Sequence, residues 1–429
     1  MNWKICDMII ILGGGLTGLS VGYHLAKEKV EFKIIEKDKR VGGLCKTENI
    51  DGFLFDYTGH FLHFKTDYAE RLVKKLLGKN LEKHQRNSWI YSKNVFTPYP
   101  FQKNTHGLPF YVKAECFLGL IKTRFKRSKL KTFEEWILNS FGNGIAKHFM
   151  IPYNEKLWTL HPKYLTTEWV GSFVPKVSVL EFIKGALFSV KRDTVGYNPL
   201  FYYPKKGGIE SLPRAFERQI KKYIIKNTKI KRIDIKNKII ECEGGEKYRY
   251  DKLISTIPLP EIVKLIKQKQ MHNLLKSLEY VSVYNLNLGL NKEHDHDKHW
   301  VYFPEKRYPF YRIGFMSNIN KNMVPEGCGS IYTEISYSNH KPLTPNIEKN
   351  IIKSLIKLKL LREKNIIVKK VLNIKYAYVI YNKFWKESVP QIKNYLKKND
   401  IISIGRYGGW EYSAMENAIN YGKEIMSII

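Results

Sequence analysis

Residues 8–36 constrain the chain more than any other stretch. Residues 8–12 form an unbroken apolar run of strand length, as expected of a strand buried on both faces. The run ends in Gly13-Gly14-Gly15-Leu16-Thr17-Gly18, and residues 19–29 follow with apolar side chains at helical spacing. A second strand is expected over residues 31–35, closed by Glu36. Strand, G-x-G-x-x-G turn, helix, strand and acid together point to a bound dinucleotide. Gly13 permits the tight turn, Gly15 lets backbone approach a pyrophosphate, and Gly18 lets helix and strand pack closely. The helix N-terminus offers unpaired N–H groups to the phosphates, and Glu36 is placed to accept from a ribose diol.

The residues just beyond select the dinucleotide. Arg40-Val41-Gly42-Gly43 follows Glu36 at once, giving a second glycine turn that a nicotinamide-binding unit does not need. Flavoproteins of the glutathione-reductase and amine-oxidase type use such a turn to bring backbone N–H groups, and an Arg, onto the diphosphate of FAD. Later segments complete the domain. Residues 203–208 precede a helix at 209–223, residues 230–235 and 239–242 read as a hairpin, and 251–256 and 401–404 read as strands. The last of these enters Gly405-Arg406 before a helix at 415–428. The expected fold is α/β: a Rossmann-type FAD domain from three separated segments, 1–64, 200–270 and 395–429. A mainly helical insertion (65–199) and a β-sheet substrate domain (271–394) complete it.

Composition narrows the class further. Hydrophobic residues at 43% and aromatics at 14% belong to a folded chain, not a disordered one. The net charge of +33 comes mostly from scattered Lys, with no recognisable nucleic-acid module, so a solvated basic surface is the expectation and nucleic acid is not an expected partner. No apolar stretch reaches the roughly 20 clean residues of a membrane span. Five widely spaced Cys without a CxxC pair read as a reduced, cytoplasmic protein. The run Glu293-His294-Asp295-His296-Asp297-Lys298-His299 has metal-ligand types, but no second cluster completes a tetrahedral site, and no metal is expected.

Several further blocks, taken together, resemble the UDP-galactopyranose mutase family, its eukaryotic-type branch in particular. They are Gly59-His60, Pro98-Tyr99-Pro100-Phe101-Gln102, Pro152-Tyr153-Asn154-Glu155-Lys156-Leu157-Trp158, Trp300-Val301-Tyr302, Pro309-Phe310-Tyr311-Arg312 and Gly405-Arg406-Tyr407-Gly408-Gly409-Trp410-Glu411-Tyr412. The Rossmann and C-terminal blocks are shared with amine-oxidase and protoporphyrinogen-oxidase-like flavoproteins; the blocks at 98–102, 152–158 and 309–312 are more specific. In the family, reduced FAD acts as a nucleophile: its N5 attacks the anomeric carbon of a nucleotide-linked pyranose, and an N5–sugar adduct carries the sugar to the furanose. A leaving diphosphate then needs cationic and hydroxyl donors held in place.

The resemblance implies catalytic roles for His60, Arg312, Tyr378 and Tyr412, the last three on the diphosphate. It implies that Tyr99 and Gln102 hold the uracil end, that Asn154 and Trp158 line the nucleotide pocket, and that Asn198, Trp300 and Tyr302 border the sugar. Cofactor contacts extend to Gly59, Gly405 and Arg406, with Arg86 nearby. Two positions depart from the pattern: Phe173 replaces a second phosphate-gripping arginine, with Lys176 a nearby substitute, and Ile319 replaces a tyrosine. Both leave the sugar nucleotide open. The implied partners are a nucleoside-diphosphate sugar and a transient reductant such as NAD(P)H, and a homo-oligomer is compatible with the chain. The competing reading is an FAD oxidase or desaturase of the amine-oxidase or protoporphyrinogen-oxidase type.

Overall fold

The computed structural model describes residues 8–125, 130–170, 174–188 and 199–429. Asn198 and Phe173 lie outside the described residues.

A five-stranded parallel sheet gathers segments from far apart in the chain, in the order Ile401–Ser403, Lys252–Ser255, Ile9–Leu12, Phe32–Ile35, Ile224–Ile225. Its central strand Ile9–Leu12 is buried at every position, which is why the sequence there is apolar without alternation. Helix Leu16–Lys27 leaves that strand and packs against the C-terminal helix Met415–Glu424. Ser20 Oγ donates to the Ile419 carbonyl at 2.7 Å across this contact, where Gly422 admits Ser20. A three-stranded antiparallel sheet, Ile230–Asp234, Ile239–Cys242 and Lys247–Arg249, adds the expected hairpin and one further strand.

The second large sheet has seven strands, ordered Ile366–Val379, Tyr280–Leu290, Gly329–Tyr337, Arg312–Gly314, Trp300–Tyr302, Ser88–Ser92, Val95–Pro98. All its pairings are antiparallel except that of Trp300–Tyr302 with Ser88–Ser92. The last two strands come from the stretch read as mainly helical. Their alternation is short, and the pairing that stabilises them is with a strand more than 200 residues on. Helices Phe110–Lys122 and Phe133–Ile145 pack on each other. A reciprocal Thr132–Glu135 cap starts the second. A five-residue π-helical stretch, Ala146–Met150, then leads into helix Ile151–Trp158.

Candidate active site

The two glycine turns lie back to back. Gly42 N–H donates to the Gly14 carbonyl at 2.7 Å, and Gly15 and Gly42 form a β-bridge. Gly13 has φ +96°, a backbone setting that favours glycine, and a methyl at Gly18 would sit 2.0 Å from the Gly13 oxygen. Gly15 differs: a methyl there would meet only the Gly43 Cα, at 4.0 Å, so the space above it is open. Gly15 caps helix Leu16–Lys27 without a side-chain acceptor, and the first turn holds no acid. An uncapped helix start facing open space fits an anion, and the cradle suits a pyrophosphate.

Glu36 is buried beside this turn, its Oε2 accepting from Gly14 N–H at 2.6 Å and its Oε1 from Asp38 N–H at 2.9 Å. Arg40 differs from the expectation. Its guanidinium donates to Glu210 Oε2 at 2.9 Å and to the Thr47 carbonyl, and it pairs with Glu48, so its N–H groups are already engaged by the Thr47–Ile50 strand and Glu210. Gly405 closes the same region from the C-terminal side, packed on Thr17 at φ +85°.

The seven-stranded sheet presents a polar cluster in a mostly apolar wall. Arg312 stands opposite Glu334 in register, and Glu334 is 0% exposed. Arg312 Nε donates to Glu334 Oε1 at 3.0 Å, and Nη2 reaches both carboxylate oxygens at 2.7 and 2.8 Å. Tyr311 donates its hydroxyl to the same carboxylate, and the Tyr311 and Tyr378 hydroxyls lie 3.4 Å apart. Glu334 thus fixes one edge of the guanidinium. Among the described residues, no hydrogen bond occupies Arg312 Nη1. Burial pushes the Tyr378 phenol up, so its O–H remains a donor at neutral pH.

Aromatic rings wall the cluster. Tyr378 stacks on Tyr412 with centroids 6.2 Å apart, and Trp158 meets Tyr378 edge-on at 5.8 Å. The Arg406 guanidinium lies 4.9 Å from the Tyr412 ring centre and 5.6 Å from that of Tyr378, held by the Ala377 and Ser413 carbonyls. Trp300 donates its indole N–H to the Tyr302 hydroxyl at 2.9 Å, and Tyr302 packs on Tyr99, which the Arg86 guanidinium covers at 4.6 Å. So Arg312, Tyr378, Tyr412, Trp158 and Arg406 form one connected group, and Tyr99, Trp300 and Tyr302 form another. Tyr153, edge-on to both Tyr302 and Tyr311, links the two.

His60 is half-buried next to Gly59. Burial first, and then the positive charges of Arg406 and Arg312, lower its imidazole to about 4, so the ring is neutral at pH 7. Its Nδ1 is buried without a partner, and so is the hydroxyl of Tyr332, which packs against Gly59 and Gly314. Two orphaned polar atoms beside one glycine fit a bound ring system with polar edges.

Some expected pocket residues are occupied internally. Asn154 Nδ2 donates to the Met150 carbonyl at 2.7 Å and its Oδ1 accepts from Trp158 Nε1 at 3.2 Å, an i to i+4 pair within helix Ile151–Trp158. Gln102 Nε2 donates to the Pro175 carbonyl at 2.7 Å, and Ile319 is buried in the core. Lys176 is exposed, on the rim of a surface cavity with Arg124, Trp136 and Ser140, so it does not take the place of the missing arginine in the cluster. Glu334 and Tyr332 fall outside every motif block. The available signal was an acid in the middle of the otherwise apolar and hydroxyl-bearing strand Gly329–Tyr337.

The family model for flavin containing amine oxidoreductases matches residues 16–324. The chain belongs to that family. Its cofactor is FAD, as the double glycine turn led us to expect. A structure of reduced UDP-galactopyranose mutase is 26% identical with a TM-score of 0.91, covering 99% of this chain and 96% of that one. The likeness bears out the α/β fold and the resemblance read from the motif blocks. Among curated relatives, coproporphyrinogen III oxidase of Bacillus subtilis is 20% identical over 312 residues, 66% of each chain. An uncharacterized protein in the nifH2 3' region of Methanothermococcus thermolithotrophicus is 44% identical over 59 residues. The match covers 57% of that protein and 14% of this family member. Among the described residues, no helix is long and apolar enough to cross a membrane.

Proposed function

We propose that this flavoenzyme is a sugar-nucleotide mutase that interconverts the pyranose and furanose forms of a nucleoside-diphosphate sugar. The observation that carries the reading is Arg312, pinned by Glu334 with Nη1 left over, beside the Tyr378 hydroxyl and the Tyr412 ring. A fixed cation flanked by phenols suits a departing and returning diphosphate. An oxidase that removes a hydride from a neutral substrate has no need of it.

Bound reduced FAD supplies a nucleophile for the anomeric carbon, and the two glycine turns with Glu36 hold it. Arg312 grips the diphosphate through Nη1, Tyr378 adds a hydroxyl donor that burial keeps protonated, and Tyr412 adds a second hydroxyl. Trp300 and Tyr302 border the sugar with a joined indole and phenol. Tyr99 and the Oε1 side of Gln102, whose Nε2 is engaged by the Pro175 carbonyl, take the base. His60 remains neutral, so it adds no third positive charge beside Arg312 and Arg406. On this reading segments 1–64, 200–270 and 395–429 carry the cofactor, 65–199 and 271–394 carry the substrate, and a nicotinamide reductant docks only transiently.

The test is anaerobic incubation of the dithionite-reduced protein with UDP-, GDP- and dTDP-pyranoses, followed by chromatography and NMR. A furanose product with no net consumption of reductant supports the mutase. Peroxide release in air on an amine or porphyrinogen, with no furanose from any nucleotide, supports the oxidase instead.

A further inference from the structure

Helix Ile151–Trp158 carries an ammonium in an unusual setting. Lys156 is 5% exposed, and its Nζ donates to three backbone carbonyls, those of Phe303 at 2.8 Å, Glu305 at 3.1 Å and Phe310 at 2.5 Å. All three belong to residues 303–310, the connection between strand Trp300–Tyr302 and strand Arg312–Gly314. No carboxylate pairs with Lys156 among the described residues. Glu305 is the acid nearest in influence, but its carboxylate is engaged by Arg307 at 2.6 Å and by Lys93 N–H at 2.8 Å. On the helix itself, Glu155 is paired with Lys306 at 3.0 Å. The remaining charge acting on Lys156 is Lys341, which opposes it.

Three acceptors for three protons is a match that only the charged form makes. A neutral amine has two N–H groups and a lone pair, so it would leave one buried carbonyl facing an acceptor. The cost of burying the charge therefore falls on the position that ties helix Ile151–Trp158, with Tyr153 and Trp158, to the connection that precedes Arg312. Phe303 N–H also donates to the Tyr311 carbonyl at 2.9 Å, so the grip passes directly to the residue before Arg312.

We infer that Lys156 is a positioning residue: through the 303–310 connection it sets Tyr302 and Arg312 against the helix that bears Tyr153 and Trp158, and so shapes the diphosphate subsite. This rests on the nucleotide-diphosphate reading above only in its last clause. Burial and Lys341 hold the Lys156 ammonium well below the usual lysine range, so the device loses its charge at a lower pH than an ordinary lysine does.

The experiment compares wild type, Lys156→Met and Lys156→Arg, each checked for flavin content, by hydrogen exchange across residues 300–314 and by UDP titration against pH. In Lys156→Met, exchange of the 303–312 amides rises at least about tenfold while the Ile9–Leu12 strand stays protected. UDP affinity of the wild type falls up to about tenfold per pH unit above the Lys156 titration. Lys156→Arg, always charged, removes that fall. Unchanged exchange in Lys156→Met, or a wild-type UDP profile that Lys156→Arg reproduces step for step, overturns the inference. Should the Met variant fail to retain flavin, the comparison of wild type with the Arg variant still decides. If wild type binds no UDP while the exchange difference holds, the loop-holding role stands and the nucleotide reading fails.

Discussion

The Arg312–Glu334 pair is the residue on which the account leans most. A carboxylate with no exposure and a guanidinium locked to it by three hydrogen bonds compensate each other, and removing one charge leaves the other buried. Glu334→Gln is therefore expected to destabilise the fold by about 3–5 kcal/mol, read by denaturant melts. Arg312→Lys replaces a planar fork by a point charge; it should keep flavin and weaken nucleotide-diphosphate binding by about 1.5–3 kcal/mol, measurable by calorimetry. Two acid–base groups, buried Asp56 and half-buried His60, make opposite pH predictions. Burial raises Asp56 from its usual 3.8 to about 6, despite hydrogen bonds from Thr47 and Tyr203. The folded form then holds a proton that the unfolded chain has released, so Asp56 makes stability fall as pH rises from about 4 to 6. His60, lowered to about 4, does the reverse: the unfolded chain binds the extra proton, and stability rises with pH up to the usual 6.5. Melting curves of Asp56→Asn and His60→Gln should lose these slopes in opposite senses. Loss in the same sense would contradict the assigned environments.

At the scale of elements, the glycine turns make a sharp distinction between two neighbours. Gly15→Ala meets no steric conflict, so the variant should fold normally and bind FAD poorly, because the methyl fills the space a phosphate needs. Gly18→Ala drives a methyl into the Gly13 carbonyl and should lower stability itself. Flavin absorbance and a thermal melt on the same samples separate the two outcomes. These elements were legible because their signals are local: an apolar run, glycines at fixed spacing and an acid lie within one supersecondary unit. The site was less so. Arg312 was found through a motif block, but Glu334 reaches it only through strand register, and nothing within Gly329–Tyr337 announces its partner. Arg40 was read toward a phosphate because Glu210, which helps to hold it, lies 170 residues away. Asn154 and Trp158 look like pocket residues in a motif, yet their helical spacing also lets them satisfy each other, and in the fold they do.

Across the whole molecule, the two large sheets divide the labour. The parallel sheet presents the uncapped helix start and the glycine cradle, and the seven-stranded sheet presents the cation, the Tyr378 phenol and the indole. Helix Ile151–Trp158 touches both aromatic groups through Tyr153 and Trp158, and Lys156 clamps it in its last turn. On the proposed function, a substrate face built from a separate sheet lets the chemistry change while the cofactor end stays the same. The net charge of +33 adds an attractive field for any polyphosphate but names none. The measurement that tests the central claim most directly is a single-turnover anaerobic reaction with chemically reduced flavin and the nucleotide-pyranose panel, with flavin absorbance and furanose followed together. The account predicts a furanose from at least one nucleotide, with the flavin reduced at the end as at the start. Flavin oxidised in step with reduction of the substrate, and no furanose from any member of the panel, would contradict it.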